Sequence, residues 1–345
     1  MSSSRLARAF AAAIIAVVLL AGCASPGRLR PADRERIAGR TYVVTGASSG
    51  FGRGVALELG RHGANVVLAA RRAPVLEAVA EEVRAAGGVP LVVPTDVADA
   101  LAVQALADAA VARFGRIDVW INNAGVVAIG RFQDVPPADQ ARLVDVNLTG
   151  TIHGSQVALR QFLAQGAGTL VNLGSVESEV PLAYHATYSA TKAGMLALGR
   201  ALNEELRLQD AGGIRVATVL PWAADTPIWE HAANYSGGTP RMAAMDGPGK
   251  VVRAIVRASL HPREEISVGW KAKGAYATHR IAPNLVERLA ADIAHHWQIE
   301  TAPPAPPTSG TLHVPVEGGT GVEGGARARI EREDAARDGR AVPQP

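Results

Sequence analysis

Tyr188 and Lys192 stand four residues apart, and Ser175 lies a short way upstream of them. On a helix, positions i and i+4 share one face, so this phenol and this ammonium would be neighbours. A free tyrosine has a pKa of about 10 and is a poor base at neutral pH. A cation beside it favours the phenolate. A hydroxyl from Ser175 would hold a substrate oxygen next to the phenol. Together these groups suit proton transfer to or from an alcohol or carbonyl oxygen. Taken alone, the Tyr-x-x-x-Lys spacing also describes a helix with two surface side chains. The chemical reading therefore depends on the elements around it.

Between residues 39 and 270, short β-branched runs alternate with longer amphipathic stretches. Strands are predicted at 41–44, 65–70, 89–93, 117–121, 169–173, 214–220 and 265–268. Helices are predicted from 55, over 75–86, 100–114 and 137–165, and through Tyr188 and Lys192. Several strand candidates lack polar alternation, as expected where both faces of a parallel sheet are covered. Repeated β-α units predict a doubly wound α/β sheet of Rossmann type, with ligands at the carboxyl ends of its strands. Ser175 falls at the end of one such strand.

The first strand runs into Thr45-Gly46-Ala47-Ser48-Ser49-Gly50-Phe51-Gly52. Glycines 46, 50 and 52 permit a tight turn and close approach of backbone N–H groups to a pyrophosphate. The N-terminus of the following helix would face that anion. The end of the second strand selects the cofactor. An NAD site calls for an acidic residue there to bind the ribose 2′-hydroxyl. The chain instead reads Ala70-Arg71-Arg72, and two arginines suit a 2′-phosphate. NADP(H) is expected over NAD(H); the alternative is a basic loop facing water.

With these motifs in place, residues 39–270 resemble the short-chain dehydrogenase/reductase family. The resemblance rests on TGASSGFG at 45–52, Asp96-Val97, Asn122-Asn123-Ala124-Gly125, Asn147 within DVNLTG, the set Ser175, Tyr188 and Lys192, and Thr226. It implies a catalytic tetrad of Asn147, Ser175, Tyr188 and Lys192. It also implies a cofactor site drawn from Thr45, Gly46, Ser48, Ser49, Gly50, Phe51, Gly52, Arg71, Arg72, Asp96, Val97, Asn123, Ala124, Gly125, Tyr188, Lys192, Pro221 and Thr226. By the same resemblance Asp96-Val97 would contact adenine, Thr226 the nicotinamide carboxamide, and Lys192 the nicotinamide ribose. Asn147 would support a water linking Lys192 to solvent. The implied activity is hydride transfer between NADP(H) and a carbonyl or alcohol. Association into a dimer or tetramer is implied through helices at about 137–165 and 186–209.

One position departs from the family pattern: Pro221 is followed by Trp222 rather than glycine. Trp cannot cheaply adopt the positive φ open to glycine. Trp222 therefore either lines the substrate pocket or packs beneath its loop. Near the catalytic segment, Glu177 is expected as a solvated carboxylate with an option on the substrate, and His185 as structural; Tyr184 lies beside them. Trp229, His231 and Tyr235 fall where the family covers its substrate, and 241–250 is expected to belong to the same lid.

The ends differ in composition. Arg5 and Arg8 precede a 13-residue apolar run, Ala9 to Ala21, too short for a comfortable span of about 20 residues. Leu20-Ala21-Gly22-Cys23 then resembles a bacterial lipobox, and Cys23 is the only cysteine. Five arginines between 28 and 40 favour an uncleaved anchor with the domain inside, so the membrane face stays open. Residues 1–23 are read as a signal or anchor and 24–38 as a linker. The oxidoreductase domain, with a short helical extension, spans 39–300. Residues 301–345 hold seven prolines and seven glycines and are expected to be a disordered tail.

A formal charge of +3 without a Lys/Arg-dense block gives no footprint for nucleic acid. A single cysteine gives neither a disulfide framework nor a thiolate metal site. Two other classes of function remain compatible: an NADP-binding scaffold without turnover, and a membrane-tethered adaptor acting through its tail.

Overall fold

The strand β1, Thr41–Thr45, shows why the predicted runs form a sheet buried on both faces. Successive side chains of a strand point to opposite sides. Tyr42 and Val44 enter one apolar cluster, and Val43 enters another on the opposite face. In β2, Asn65–Ala70, Val66 and Leu68 take the first side and Val67 and Ala69 the second. With both faces packed under helices, no position on these strands has to be polar.

The computed structural model describes residues 29–340. After β1 come α2 (Gly50–Gly60), β2, α3 (Ala73–Ala85), β3 (Val89–Pro94), α4 (Ala100–Phe114) and β4 (Val119–Asn122); a short α1 (Pro31–Glu35) precedes them. Then follow β5 (Ala128–Ile129), α5 (Pro137–Val144), α6 (Gly150–Gln165), β6 (Gly168–Leu173), α7 (Ala186–Leu208), β7 (Ile214–Pro221) and β8 (Ala233–Asn234). The chain continues through α8 (Gly249–Leu260), β9 (Glu265–Val268), α9 (Gly269–Ile281), α10 (Pro283–His295) and α11 (Ala326–Arg337). Seven strands form one parallel sheet in the order β3-β2-β1-β4-β6-β7-β9. The order reverses between β1 and β4, and a crevice for ligands opens there. The fold is the expected Rossmann-type single domain.

Three differences from the sequence expectations have local causes. The first concerns the predicted helix 137–165, which is interrupted by a π turn at Asp145–Thr149. The extra residue in that turn re-aims Asn147, and the Thr151 hydroxyl donates to the Asn147 carbonyl at 2.7 Å. Second, part of the predicted linker is packed: Ile37 is fully buried, and the Asp33 carboxylate meets His261 at 2.7 Å.

The third is a correction: residues 301–340 are not a free tail. Their Pro/Gly-rich composition builds no core of its own, but it borrows one. Leu312 inserts fully into the second cluster, while Ala326 and Ile330 join a third with Trp229 and Met242. Asp225 caps the N-terminus of α11 through Ala326 N–H at 2.8 Å and Arg327 N–H at 3.2 Å. Residues 1–28, which include the apolar leader and Cys23, lie outside the described residues. Among the described residues no helix is long and apolar enough to cross a membrane.

Candidate active site

Ser175 follows β6, and Tyr188 and Lys192 lie in the first two turns of α7. The helix brings Lys192 Nζ to 5.5 Å from the centre of the Tyr188 ring. The ammonium is buried and donates to the Leu173 carbonyl at 2.7 Å. Burial pulls its pKa down to about 8, against a smaller upward pull from Glu177. Burial, assisted by the Glu177 carboxylate, pushes the Tyr188 phenol above its ordinary value, and a hydrogen bond with Ser175 pulls it partly back. The expectation of a phenol lowered by Lys192 is thus reversed here, because burial and the Glu177 carboxylate disfavour the phenolate.

Glu177 is not the solvated carboxylate expected. It accepts from Ser189 Oγ at 2.7 Å and meets His185 Nδ1 at 3.1 Å. His185 is itself buried, and its Nε2 meets the Gln298 carboxamide at 3.0 Å. Glu177 therefore supplies the negative charge felt by both Tyr188 and Lys192. The burial of His185 could not be read locally, since Gln298 lies more than a hundred residues away. Tyr184 turns the loop before α7 with a φ of 68° and binds His295 Nδ1 at 2.6 Å.

Asn147 is fully buried behind this group. Its carboxamide exchanges bonds with Val126, donating to the carbonyl at 2.9 Å and accepting from the N–H at 2.8 Å. A Cβ added at Gly125 would lie 3.5 Å from Asn147 Oδ1 and 3.7 Å from Lys192 Nζ, so the two side chains flank that glycine. Thr45 holds the same loop from the other side, its hydroxyl accepting from the N–H groups of Asn123 at 3.0 Å and Ala124 at 3.1 Å.

One cavity of about 870 Å³ joins these groups to the glycine-rich turn. Gly46, Ser48, Ser49, Gly50 and Phe51 line it, as do Arg71, Arg72, Asp96, Val97, Asn123, Ala124, Gly125, Ser175, Tyr188, Lys192, Pro221 and Thr226. Of the residues implied for the catalytic tetrad and the cofactor site, Thr45, Gly52 and Asn147 stand behind the wall rather than on it. At Gly46 the backbone turns with a φ of 67°, and a Cβ there would meet Ala124 Cα at 2.8 Å. A Cβ at Gly52 would run into the Gly46 carbonyl. Burial raises the Asp96 carboxyl, but the ion pair with Arg142, the Ala98 N–H and the Arg71 charge together outweigh this and hold it below its ordinary value. This floor, which runs from two arginines to a buried lysine along the strand ends, fits a dinucleotide carrying a 2′-phosphate.

Trp222 adopts no positive φ; it lines the cavity and donates from Nε1 to the Ala244 carbonyl at 3.2 Å. Trp229 and His231 also line it, but Tyr235 does not and donates instead to Asp139. In the predicted lid, Met242, Ala243 and Ala244 reach the cavity, whereas Arg241 is fully buried against Asp334 and the Thr301 carbonyl, both at 2.6 Å. Two features were missed entirely in the sequence. One is the row Ile281, Leu285, Leu289 and Ile293, which extends an apolar wall along α9 and α10. Its four-residue spacing was the available signal. The other is the chain at 311–321, which crosses above the two arginines.

A parallel sheet with a glycine-rich first turn, and one cavity joining that turn to Ser175, Tyr188 and Lys192, is the arrangement of a dinucleotide-dependent oxidoreductase. The chain belongs to the short-chain dehydrogenase family, whose model matches residues 40–235. The uncharacterised oxidoreductase YxnA of Bacillus subtilis is 30% identical over 282 residues, covering 81% of this chain and 79% of that protein. The 3beta-hydroxysteroid dehydrogenase 1 of Eggerthella lenta is 39% identical over 198 residues, 56% of this chain and 74% of that one. Among solved structures, an alcohol dehydrogenase from Thermococcus sibiricus complexed with 5-hydroxy-NADP aligns with a TM-score of 0.56 at 26% identity, covering 67% and 94% of the two chains. A metagenomic short-chain oxidoreductase in complex with NADP gives 0.56 at 30% identity, covering 68% and 97%.

Proposed function

We propose that the protein transfers a hydride between NADP(H) and a carbonyl or alcohol on a large apolar substrate, with Tyr188 as general acid and base. The observation that carries this reading is that Ser175, Tyr188 and Lys192 meet in one cavity with Arg71 and Arg72. When bound, the nicotinamide supplies or receives the hydride. Tyr188 would donate its proton to the carbonyl oxygen in reduction and take one from the alcohol in oxidation. A phenol raised by burial stays protonated at neutral pH, the form a proton donor needs. Lys192, at about 8, keeps most of its charge at pH 7 and would steady the phenolate as it forms. Ser175 would hold the substrate oxygen beside the phenol. The Asn147 side-chain N–H groups are spent on Val126 and Thr191, so a water link to Lys192 would run through its main chain. Arg71 and Arg72 would favour the 2′-phosphate of NADP(H) over the bare ribose of NAD(H).

The apolar row lining the same cavity supports the substrate class. Ile281, Leu285, Leu289 and Ile293 are 72%, 57%, 52% and 49% exposed. Such a row left open to water would be costly unless an apolar ligand covers it, at about 25 cal/mol per Å². The likeness to a hydroxysteroid dehydrogenase points the same way. A panel of aliphatic, polycyclic and sugar carbonyls and alcohols, assayed with NADPH and NADH, tests the reading. Turnover confined to small polar substrates would refute the substrate class. Tight NADPH binding without turnover of any member would favour the scaffold.

We further propose self-association through α6 and α7, where Ile152, Leu163 and Leu208 are exposed. Light scattering during gel filtration would overturn this by showing a monomer at micromolar concentration. The leader is proposed to tether the chain to a membrane, as a lipoprotein if Cys23 is processed. Protease protection in spheroplasts and the mass of the mature N-terminus separate that case from an uncleaved anchor. An unlipidated soluble chain retaining Met1 would defeat both.

A further inference from the structure

The two arginines assigned to the 2′-phosphate already hold something else. Arg71 donates to the carbonyls of Thr311 at 2.5 Å and of Leu312 and His313, both at 3.1 Å. Arg72 donates to the carbonyls of Val316 at 3.0 Å and Gly318 at 2.9 Å. The next residues continue across the glycine-rich turn. Arg53 of α2 donates to the Thr320 carbonyl at 2.7 Å, and the Gly50 N–H donates to the Gly321 carbonyl at 2.8 Å. The Gly50 N–H belongs to the helix N-terminus that would face a pyrophosphate. From 311 to 321 the chain thus follows the groove from its 2′-phosphate end to its pyrophosphate end.

The segment takes up polar donors of the groove and leaves a cavity beside them. Thr311, Pro315 and Val316 line the same cavity as Gly46, Asp96 and Asn123. Its two ends are fixed by apolar burial and caps. Upstream, Thr308 pairs with Asn234 through bonds of 2.8 and 3.0 Å, and Leu312 is fully buried. Downstream, Asp225 caps α11 at 2.8 Å. The middle is different: residues 313–318 are exposed and held by polar bonds, including His313 to Asp139 at 2.8 Å. Lifting that middle exposes no core, so it can open while its ends stay docked.

We infer that Thr311–Gly321 is a strap that closes over the bound dinucleotide and gates its entry and release. The inference rests on the cofactor reading above and adds an element outside the matched family region, 40–235. Arg71 and Arg72 then serve two acceptors, the strap carbonyls and the phosphate. A carbonyl is a neutral acceptor and a phosphate a charged one, so Arg72, whose partners lie in the exposed middle, can shift to the phosphate as the strap opens, while Arg71 exchanges only its bond to His313.

The test severs the strap in the full chain. A protease site inserted between Val314 and Gly318, in the exposed middle, allows complete cleavage with both anchors intact. Stopped-flow NADPH fluorescence then reads association and release before and after cutting. Both rates should rise about tenfold on cleavage, with a smaller change in Kd. Leu312→Asp, which ejects the upstream anchor, should give the same rise without an insertion. Unchanged release after complete cutting, with the far-UV spectrum intact, would overturn the strap. So would faster association alone with unchanged release, because the segment would then be a simple competitor for the site. Failure of either form to bind NADPH or NADH would overturn the cofactor reading along with it.

Discussion

The floor and the roof of the cavity come from different stretches of chain. The floor spans residues 46–226 and sits at the carboxyl ends of β1, β2, β4, β6 and β7, which are buried on both faces. Polar groups in and behind it are fixed by neighbours: Asn147 by Val126, Lys192 by Leu173, and Asn123 by Thr45. The roof spans 270–321. It consists of an apolar helical wall, half open to water, and a strap held at its middle by polar bonds. Chemistry needs groups held within fractions of an ångström, and the sheet supplies that rigidity. Admission of a cofactor and a large substrate needs parts that open at little cost, and elements lying outside the sheet supply those.

If the floor does the chemistry, its loss should dominate. Tyr188→Phe removes one hydroxyl and little volume, so kcat should fall about 10²–10⁴-fold while NADPH binding is nearly unchanged. Near-full activity on the best substrate would remove Tyr188 from the proton transfer.

The boundary between floor and roof is the arginine pair. Ala70→Asp combined with Arg71→Ala supplies a carboxylate for the ribose and removes one phosphate partner. The NADPH/NADH preference should shift towards NADH on the order of 10- to 100-fold, the loss of one charge-assisted bond. Equilibrium titration with both cofactors checks it, and an unchanged ratio would assign Arg71 to the strap alone.

On the roof, Leu289→Asp should raise KM for the most apolar substrate by about tenfold and leave kcat for a short alcohol unchanged. Equal effects on both substrates would mean that the row does not contact substrate.

A last effect concerns stability and not activity. Lys192 titrates at about 8 in the fold against an ordinary 10.5. Between these values the unfolded chain binds more protons, so stability should rise with pH from 8 towards 10. Above about 10 the raised Tyr188 opposes this, because the folded state then holds the extra proton. Urea unfolding from pH 7 to 10 should show the parent gaining on the order of 2 kcal/mol relative to Lys192→Met. Parallel curves would mean that Lys192 keeps its ordinary pKa.

Most of the floor was legible because it is written in local patterns. The helical spacing of Tyr188 and Lys192, the turn after β1 and the change from acid to arginine after β2 each lie within a few residues. The strands 65–70 and 265–268 and the helix 100–114 fell where periodicity placed them. The π turn at 145–149 was not legible, because no residue type in Asp145–Thr149 marks the added residue.

The sequence by itself therefore determined the sheet, the cofactor turn and the set of groups that could move a proton, since these depend on short-range spacing and backbone sterics. Only the tertiary structure decided what surrounds them. It turned the expected phenol shift upward, because burial is a property of the packed site and not of a motif. It brought Glu177, His185 and Gln298 together across more than a hundred residues. And it gave order to a Pro/Gly-rich segment whose own composition builds no core, because Arg71, Arg72 and the pocket that receives Leu312 supply from elsewhere in the chain the partners that the segment lacks.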